Sequence, residues 1–279
     1  MICTRREAIR LLVSEIRSLY EEHEAATLVR RLLAERCGVS EAALLADPDA
    51  TIEIPDFEQL AQELASGRPL QYIVGHTEFY GLDFRVREGC LIPRPETEEL
   101  VDNILKKHPS AHRILDVGTG SGCIAIALKK GLPEAQITAL DRSEEALEIA
   151  RENCLHLAAE IALRKGDALS LEAWVEGPFD VIVSNPPYIP RSEEQLMRKN
   201  VLDFEPHEAL FVPDKEPLLF YRAIGRSALN LLSPNGSLWF EVHENYADQT
   251  AEMLKEEGFG EVEVICDLFD KKRMVWSRR

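Results

Sequence analysis

The sequence lacks long apolar runs, and no stretch approaches the roughly eighteen uncharged apolar residues that a membrane-spanning helix requires. It also lacks a C-x-x-C pair, since its 6 cysteines are scattered, and its 7 histidines do not cluster. A chain of 279 residues can bury a hydrophobic core without cross-links. We therefore expect reduced thiols, no metal site, no membrane segment and a cytoplasmic protein.

Basic residues are scarce relative to acidic ones. The chain has 32 lysines and arginines against 49 aspartates and glutamates, which gives a formal charge of −17 at pH 7. Binding a DNA duplex by neutralising its phosphates needs a basic surface, and this chain would be repelled unless it concentrated its basic residues on one face. We expect no direct DNA binding, whereas a protein partner is compatible with this charge.

Repeats, low-complexity segments and a clear leader are absent as well. The twin arginine Arg5-Arg6 precedes an apolar run that Ser14 and Glu15 interrupt, so we expect no signal peptide. The composition, 45% hydrophobic and 29% charged, is that of an ordinary globular protein. The length suits a main domain of about 200 residues with a smaller one attached.

Residues 1–75 show the apolar spacing of helices and predict a small all-α bundle. Thr4 and Glu7 form a capping box before its first helix, and Gly38 ends the second. In residues 76–95 the apolar period changes to two on either side of Gly81, which predicts a β-hairpin that connects two domains.

Residues 96–279 alternate short apolar strands with helices, a pattern that predicts an α/β domain with a mainly parallel sheet and helices on both faces. The predicted strands are Arg113–Val117, Gln136–Leu140, Ile161–Arg164, Phe179–Val183 and Ser237–Val242.

A glycine-rich loop follows the first predicted strand, in the run Asp116-Val117-Gly118-Thr119-Gly120-Ser121-Gly122. Glycines let the backbone turn sharply and approach a ligand, toward which the N–H groups of the next helix point. Asp141 ends the second strand, where a carboxylate can accept both hydroxyls of a ribose. A dinucleotide site needs glycine or alanine where this chain has Cys123. The spacing instead resembles the nucleoside loop of class I methyltransferases that use S-adenosylmethionine, in which Asp167 would contact the adenine; a tight turn without a ligand is the alternative.

The tetrapeptide Asn185-Pro186-Pro187-Tyr188 follows the apolar strand Phe179–Val183. Ligands of an open parallel sheet bind at the carboxyl ends of its strands, so we expect the tetrapeptide beside the glycine loop. Its prolines lack N–H donors, which leaves the Asn185 side-chain oxygen and the Pro186 carbonyl as acceptors and the Tyr188 ring as an aromatic face.

Two fixed acceptors suit the holding of a planar NH2 group. They can bind both hydrogens while the nitrogen lone pair faces an electrophile such as a sulfonium methyl group, and this chemistry needs no metal. With the glycine loop, the tetrapeptide resembles the amino-methyltransferases that modify adenine N6, cytosine N4 or glutamine N5. A proline-stiffened loop without chemistry is the simpler alternative.

Further motifs extend this resemblance over nearly the whole chain. They are G-R-P-L-Q-Y-I-V-G at 67–75, T-E-F-Y-G at 77–81 and I-P-R-P-E-T-E at 92–98. With them the chain is similar to the release factor glutamine methyltransferase family, also called HemK or PrmC. The segment P-R-P-E-T-E is more specific than the motifs that methyltransferases share in general.

The resemblance implies a monomeric enzyme that methylates the side-chain nitrogen N5 of the glutamine in the G-G-Q motif of class 1 peptide chain release factors. Residues 1–75 would dock the substrate, and residues 96–279 would form a Rossmann-like S-adenosylmethionine-dependent methyltransferase domain that releases S-adenosylhomocysteine. The cofactor would contact Asp116, Gly118, Thr119, Gly120, Ser121, Gly122, Asp141, Asp167, Ala168 and Asn185. Asn185, Pro186 and Tyr188 would be catalytic, and with Pro187 they would form the glutamine pocket.

Two other functions stay open at this point. One is an N6-adenine methyltransferase that acts on nucleic acid with Tyr188 stacked on a base, which a basic face around the pocket would favour. The other is a binding protein that keeps the fold without catalysis. The residues themselves suggest no chemical role for Arg94, Glu96 or Glu98, and the segment 190–211 is either a grip on the substrate or a solvated excursion.

Overall fold

The computed structural model describes residues 1–279 and divides into two compact units. The first contains Met1–His76 and Arg198–Phe204, and the second contains Thr77–Met197 and Glu205–Arg279. The predicted three-part division at 75 and 95 stays a prediction, and by contacts most of the hairpin falls within the second unit. No helix is both long enough and apolar enough to cross a membrane.

The first unit is a helical bundle around a core of aliphatic side chains, among them Leu12, Val29 and Leu32. The elements of its main segment are β1 (Ile2–Thr4), α1 (Arg5–Ile16), α2 (Glu22–Cys37), α3 (Glu41–Ala46), β2 (Thr51–Glu53), α4 (Phe57–Ala65) and α5 (Leu70–Val74). The Thr4 half of the predicted capping box is confirmed, because the Thr4 side chain accepts a hydrogen bond from the Glu7 amide at 3.2 Å.

The bundle also contains a small antiparallel sheet of β1 and β2, which the prediction of an all-α domain did not include. Each of these strands has 3 residues. A period of two cannot be recognised over so short a run, and the strands owe their form to mutual pairing rather than to local sequence.

The second unit is built on a seven-stranded sheet. The remaining strands of the chain are β3 (His76–Phe79), β4 (Leu82–Arg85), β5 (Arg113–Val117), β6 (Gln136–Asp141), β7 (Ala162–Lys165), β8 (Phe179–Ser184), β9 (Ile189–Pro190), β10 (Phe211–Val212), β11 (Leu232–Glu241), β12 (Glu261–Cys266) and β13 (Lys272–Arg278). The remaining helices are α6 (Pro95–Lys107), α7 (Cys123–Gly131), α8 (Glu144–His156), α9 (Lys199–Phe204, in the first unit), α10 (His207–Leu210), α11 (Leu219–Leu231) and α12 (Ala247–Glu257).

The strand order is β12-β13-β11-β8-β5-β6-β7. Strands β7, β6, β5, β8 and β11 are parallel to one another, which confirms the five predicted strands and the mainly parallel sheet. Strands β13 and β12 add an antiparallel pair at one edge. The sheet is therefore larger than predicted.

Buried side chains cover both faces of this sheet, as expected for parallel strands. One face packs against α6 and α7 through residues such as Leu100 and Ile124, and the other against α11 and α12 through residues such as Ile224 and Leu254. The β3–β4 hairpin, whose Phe79 and Phe84 rings meet edge to face at 5.9 Å, joins the first of these cores.

Candidate active site

The connections of the sheet reverse direction between β5 and β8. From β5 the chain continues through β6 and β7 on one side, and then returns to β8 on the other. The carboxyl ends of β5 and β8 are neighbours, since Val117 pairs with Ser184, and the Ser184 hydroxyl donates to the Val117 carbonyl at 2.7 Å. A crevice at such a reversal is the usual ligand site of an open α/β sheet.

The glycine-rich loop lies in this crevice. The amides of Gly118 and Thr119 donate to the Leu140 carbonyl at 2.8 and 3.0 Å, which ties the loop to the end of β6. Gly118 and Gly120 have φ angles of +74° and +56°, and a side chain built on either would meet nothing within 4 Å. The backbone therefore faces open space in a conformation that favours glycine.

Asp141 at the end of β6 faces the same space. Its two carboxylate oxygens each accept one backbone hydrogen bond, from Gly120 and from Ser143, both at 2.9 Å. Burial raises the pKa of this carboxyl, while those amide donors oppose the rise. A carboxylate oxygen can accept a second hydrogen bond, so Asp141 keeps acceptor capacity for two ligand hydroxyls.

A cavity of about 380 Å³ opens between the loop, β6 and β8. This volume falls within the range of small-molecule sites. Of the predicted site residues, those that line it are Gly118, Gly120, Asp141, Asp167, Ala168, Asn185, Pro186 and Pro187. The remaining wall is largely apolar and includes Leu91, Leu140 and Phe220.

The other predicted site residues are not part of the cavity wall. Within the loop, Thr119, Ser121 and Asp116 are buried, and Gly122 is the residue before α7. The Thr119 hydroxyl donates to Asp116 at 2.6 Å, which closes the loop on itself. These residues support the shape of the loop, and their predicted cofactor contacts stay predictions.

Asn185 and Tyr188 share a common anchor in Glu241, at the end of β11. The Asn185 Nδ2 donates to the Thr97 hydroxyl at 3.3 Å, and that hydroxyl donates to Glu241 Oε2 at 2.6 Å. The Tyr188 hydroxyl donates to Glu241 Oε1 at 3.2 Å. Tyr188 is therefore oriented toward the interior, and its predicted packing against a substrate amide stays a prediction.

Glu241 is a buried carboxyl with 1% of its surface exposed. Burial raises its pKa, whereas the Thr97 hydroxyl, the positive charge of Arg273 and the Tyr188 hydroxyl oppose that rise. Burial and the nearby Glu241 carboxylate also raise the pKa of the Tyr188 phenol, so Tyr188 keeps its proton at neutral pH.

The P-R-P-E-T-E segment has a second anchor in Glu205. This buried glutamate accepts from the Ile92 amide at 3.1 Å and from the Arg94 guanidinium at 2.7 Å. Glu98 accepts from the Tyr80 amide at 2.8 Å. The segment thus holds the first turn of α6 in place, and with it Thr97.

Sequence reasoning missed Thr97, Glu205 and Glu241 as site residues. Thr97 lies inside a motif that was recognised, but no chemistry follows from a threonine at a helix start. Glu241 had one usable signal, since it ends a strand as Asp141 does. Glu205 had no such signal in the sequence, because it belongs to a charged segment that is typical of a solvated surface.

The pKa of the Asp116 carboxyl is shifted strongly by its buried environment. Burial raises it from 3.8 to about 7, although the Thr119 hydroxyl opposes the rise. Between these values the folded protein keeps a proton that the unfolded chain has lost. Stability therefore falls as the pH rises through this interval and levels off above it.

In Asp116→Asn we expect the free energy of unfolding to fall less steeply with pH, by up to about 1.4 kcal/mol per pH unit. The reason is that asparagine has the size of aspartate but cannot ionise. Urea unfolding at several pH values from 3.8 to about 7 measures the slope. A wild-type slope in Asp116→Asn would contradict the assignment.

The residues of the cavity fit S-adenosylmethionine. A glycine loop faces open space where a nucleoside can approach the backbone, and Asp141 keeps two acceptor positions for ribose hydroxyls. Leu140 and Ala168 offer apolar surface beside Asp141, as a purine ring requires. Asn185 lines the same cavity, so a group held by its side chain would lie near the bound donor.

Two family models match the chain. The model described as the methyltransferase small domain matches residues 95–203, and the PrmC N-terminal domain matches residues 7–75. Among solved structures, a methyltransferase from Pyrococcus furiosus superposes with a TM-score of 0.55 at 20% identity, over 79% of this chain and 98% of the other. That likeness concerns the fold, and it agrees with the predicted class I methyltransferase architecture.

Curated relatives match along nearly the entire chain. A release factor glutamine methyltransferase from Bacteroides thetaiotaomicron is 42% identical over 267 residues, which is 95% of this chain and 96% of the relative. One from Flavobacterium psychrophilum is 39% identical over 94% of this chain and 95% of its own length. The chain belongs to the release factor glutamine methyltransferase family.

Proposed function

We propose that this protein transfers a methyl group from S-adenosylmethionine to the side-chain amide nitrogen of the glutamine in the G-G-Q motif of class 1 peptide chain release factors. The observation that carries the proposal is the fixed side chain of Asn185 in the wall of the cavity. Its amide nitrogen donates to Thr97, which leaves its oxygen as the acceptor available to a substrate amide.

Bound S-adenosylmethionine supplies an electrophilic methyl group on a sulfonium. Asn185 Oδ1 and the Pro186 carbonyl accept the two hydrogens of the glutamine NH2 group and orient its lone pair toward that methyl. These acceptors bind more strongly as positive charge develops on the nitrogen, which lowers the barrier. Tyr188 closes the pocket beside the amide plane, and solvent takes the surplus proton after transfer.

The methyl donor is held by the residues that shape the cavity and its loop. Asp141 binds the ribose hydroxyls, and the loop from Gly118 to Gly122 approaches the nucleoside, with Asp116 supporting it from behind. Asp167 and Ala168 lie on the adenine side. Asn185 contacts both the donor and the substrate.

The partner is a protein rather than a nucleic acid. The named relatives act on release factors, and the excess of 49 acidic over 32 basic residues opposes binding to DNA. We propose that the helical unit, which matches the PrmC N-terminal domain, docks the release factor. The enzyme is a cytoplasmic monomer in this proposal.

The test is methyl transfer from labelled S-adenosylmethionine to a purified release factor, beside the same factor with its G-G-Q glutamine changed to alanine. We expect label on the first and none on the second. Label on both would place the methyl group on another residue. Label that appears only on DNA or RNA would favour the N6-adenine alternative, and no transfer to any acceptor would favour a binding protein.

A further inference from the structure

We infer that Thr97 and Glu241 are positioning residues that fix which end of the Asn185 amide faces the substrate, an inference that rests on the proposed function. The two ends of an asparagine amide are nearly equal in shape but opposite in hydrogen bonding. Only the oxygen can accept a hydrogen from a glutamine NH2 group. An Asn185 side chain turned the other way would present its own NH2 group and repel the substrate.

The hydrogen-bond chain determines this orientation. Two hydroxyls donate to Glu241, one to each carboxylate oxygen, which is the arrangement that suits an ionised carboxylate. A threonine hydroxyl has one hydrogen, and in Thr97 that hydrogen is directed to Glu241 at 2.6 Å. Toward Asn185, Thr97 can therefore only accept, and the partner it accepts from is Nδ2 at 3.3 Å.

Burial strengthens this selection. Thr97 is 2% exposed and Glu241 1%, so water does not compete for either group. An Asn185 amide in the flipped orientation would direct its oxygen at the Thr97 oxygen and leave both without a hydrogen between them. Such an unsatisfied buried pair is costly, so the orientation with Oδ1 free is preferred.

Glu241 acts at both ends of the N-P-P-Y tetrapeptide. It reaches Asn185 through Thr97 and Tyr188 directly, and the Tyr221 hydroxyl from α11 donates to its carbonyl at 3.2 Å. Because the carboxylate can only accept, it determines the direction of donation along the chain of hydrogen bonds. Thr97 donates to Glu241 and therefore accepts from Asn185.

The test compares Thr97→Val, which keeps the shape without the hydroxyl, with Thr97→Ser, which keeps the hydroxyl. In Thr97→Val we expect kcat for release factor methylation to fall about tenfold, with little change in the affinity for S-adenosylhomocysteine. The thermal midpoint should fall as well, because the buried Glu241 carboxylate loses the hydrogen bond from Thr97. Thr97→Ser should restore most of the rate. Thr250→Val is the matched control, because Thr250 is a fully buried threonine on α12 whose hydroxyl donates only to the Tyr246 carbonyl.

A second measurement needs no methyl-accepting substrate. The side-chain NH2 signals of Asn185, identified in NMR spectra by their loss in Asn185→Ala, should exchange with water slowly in the wild type and in Thr97→Ser, and faster in Thr97→Val. Glu241→Gln should also speed this exchange, since a glutamine NH2 group can donate to Thr97 and turn its hydroxyl toward Asn185.

The outcomes separate the two proposals. A wild type that labels no release factor contradicts the proposed function, whereas the exchange measurement still tests the orientation of Asn185. Unchanged exchange in both Thr97→Val and Glu241→Gln overturns the positioning role, and so does a Thr97→Ser variant as slow as Thr97→Val. A Thr97→Val variant that loses as much affinity for S-adenosylhomocysteine as it loses rate also overturns it, because a structural defect alone predicts that pattern.

Discussion

Replacing Asn185 with alanine is expected to lower kcat for release factor methylation about 100- to 1000-fold, the range found when one preorganised hydrogen-bonding group is removed from a transition state. Alanine leaves the Pro186 carbonyl as a single acceptor, so the glutamine nitrogen is no longer aligned with the methyl group. The loss should fall on kcat more than on KM, because the hydrogen bonds strengthen as charge develops on the nitrogen. Steady-state kinetics with labelled S-adenosylmethionine measure both constants.

The matched control is Asn230→Ala, which removes the side chain of an exposed asparagine on α11 that donates to Glu172. Its kinetics should equal those of the wild type. The variant Asn185→Ala must also stay folded and retain most of its affinity for S-adenosylhomocysteine. If it methylates the release factor at the wild-type rate, Asn185 does not orient the substrate.

Replacing Asp141 with asparagine is expected to weaken the binding of S-adenosylhomocysteine about 100-fold, because charge-assisted hydrogen bonds to hydroxyls each contribute about 1.5–3 kcal/mol. Asparagine supplies one acceptor where the carboxylate supplies two. Its NH2 group also opposes one of the amides, of Gly120 or Ser143, that now donate to Asp141. Calorimetric titration with S-adenosylhomocysteine measures the change.

An analogue without the ribose hydroxyls separates the two effects of this substitution. If Asp141 binds those hydroxyls, Asp141→Asn should change the affinity for the dideoxy analogue much less than the affinity for S-adenosylhomocysteine. Equal losses would mean that Asp141 acts only through the shape of the loop. The control is Asp180→Asn, since Asp180 also accepts two backbone amides, of His112 and Arg113, but at the amino ends of the strands.

The parts of the site that the sequence predicts are motifs that can be recognised from neighbouring residues alone. The glycine loop and N-P-P-Y each follow an apolar strand, and a strand that runs into such a motif can be recognised within about ten residues. Their meeting in one cavity follows from a general property of parallel sheets, that the carboxyl ends of the strands share one edge. Asn185 and Gly118 could therefore be placed together without coordinates.

Other features depend on contacts that no local pattern encodes. Thr97 and Glu241 are 144 positions apart, and neither gains a role until β11 brings the glutamate beside the start of α6. Glu205 lies 113 positions from the Ile92 amide that it accepts from. In a charged segment such a residue is expected to be solvated, and only the partner group explains its burial.

Edges of the fold were also hard to predict. The three-residue strands β1 and β2 are too short for a periodic signal. Strand β12 alternates exposed and half-buried residues as an edge strand does, and its position is set by pairing with β13 rather than by its own sequence.

The hydrogen-bond chain from Asn185 through Thr97 to Glu241 has a consequence for the order of events during synthesis. The glycine loop and N-P-P-Y leave the ribosome before Glu241 does, so the nascent chain carries both motifs while the group that aligns them is still missing. Methyl transfer competence should arise late, as β11 pairs with β8 and carries its terminal carboxylate beneath the tetrapeptide. A chain that ends before residue 241 would lack this carboxylate, and with it α12 and strands β12 and β13, so it should transfer no methyl group.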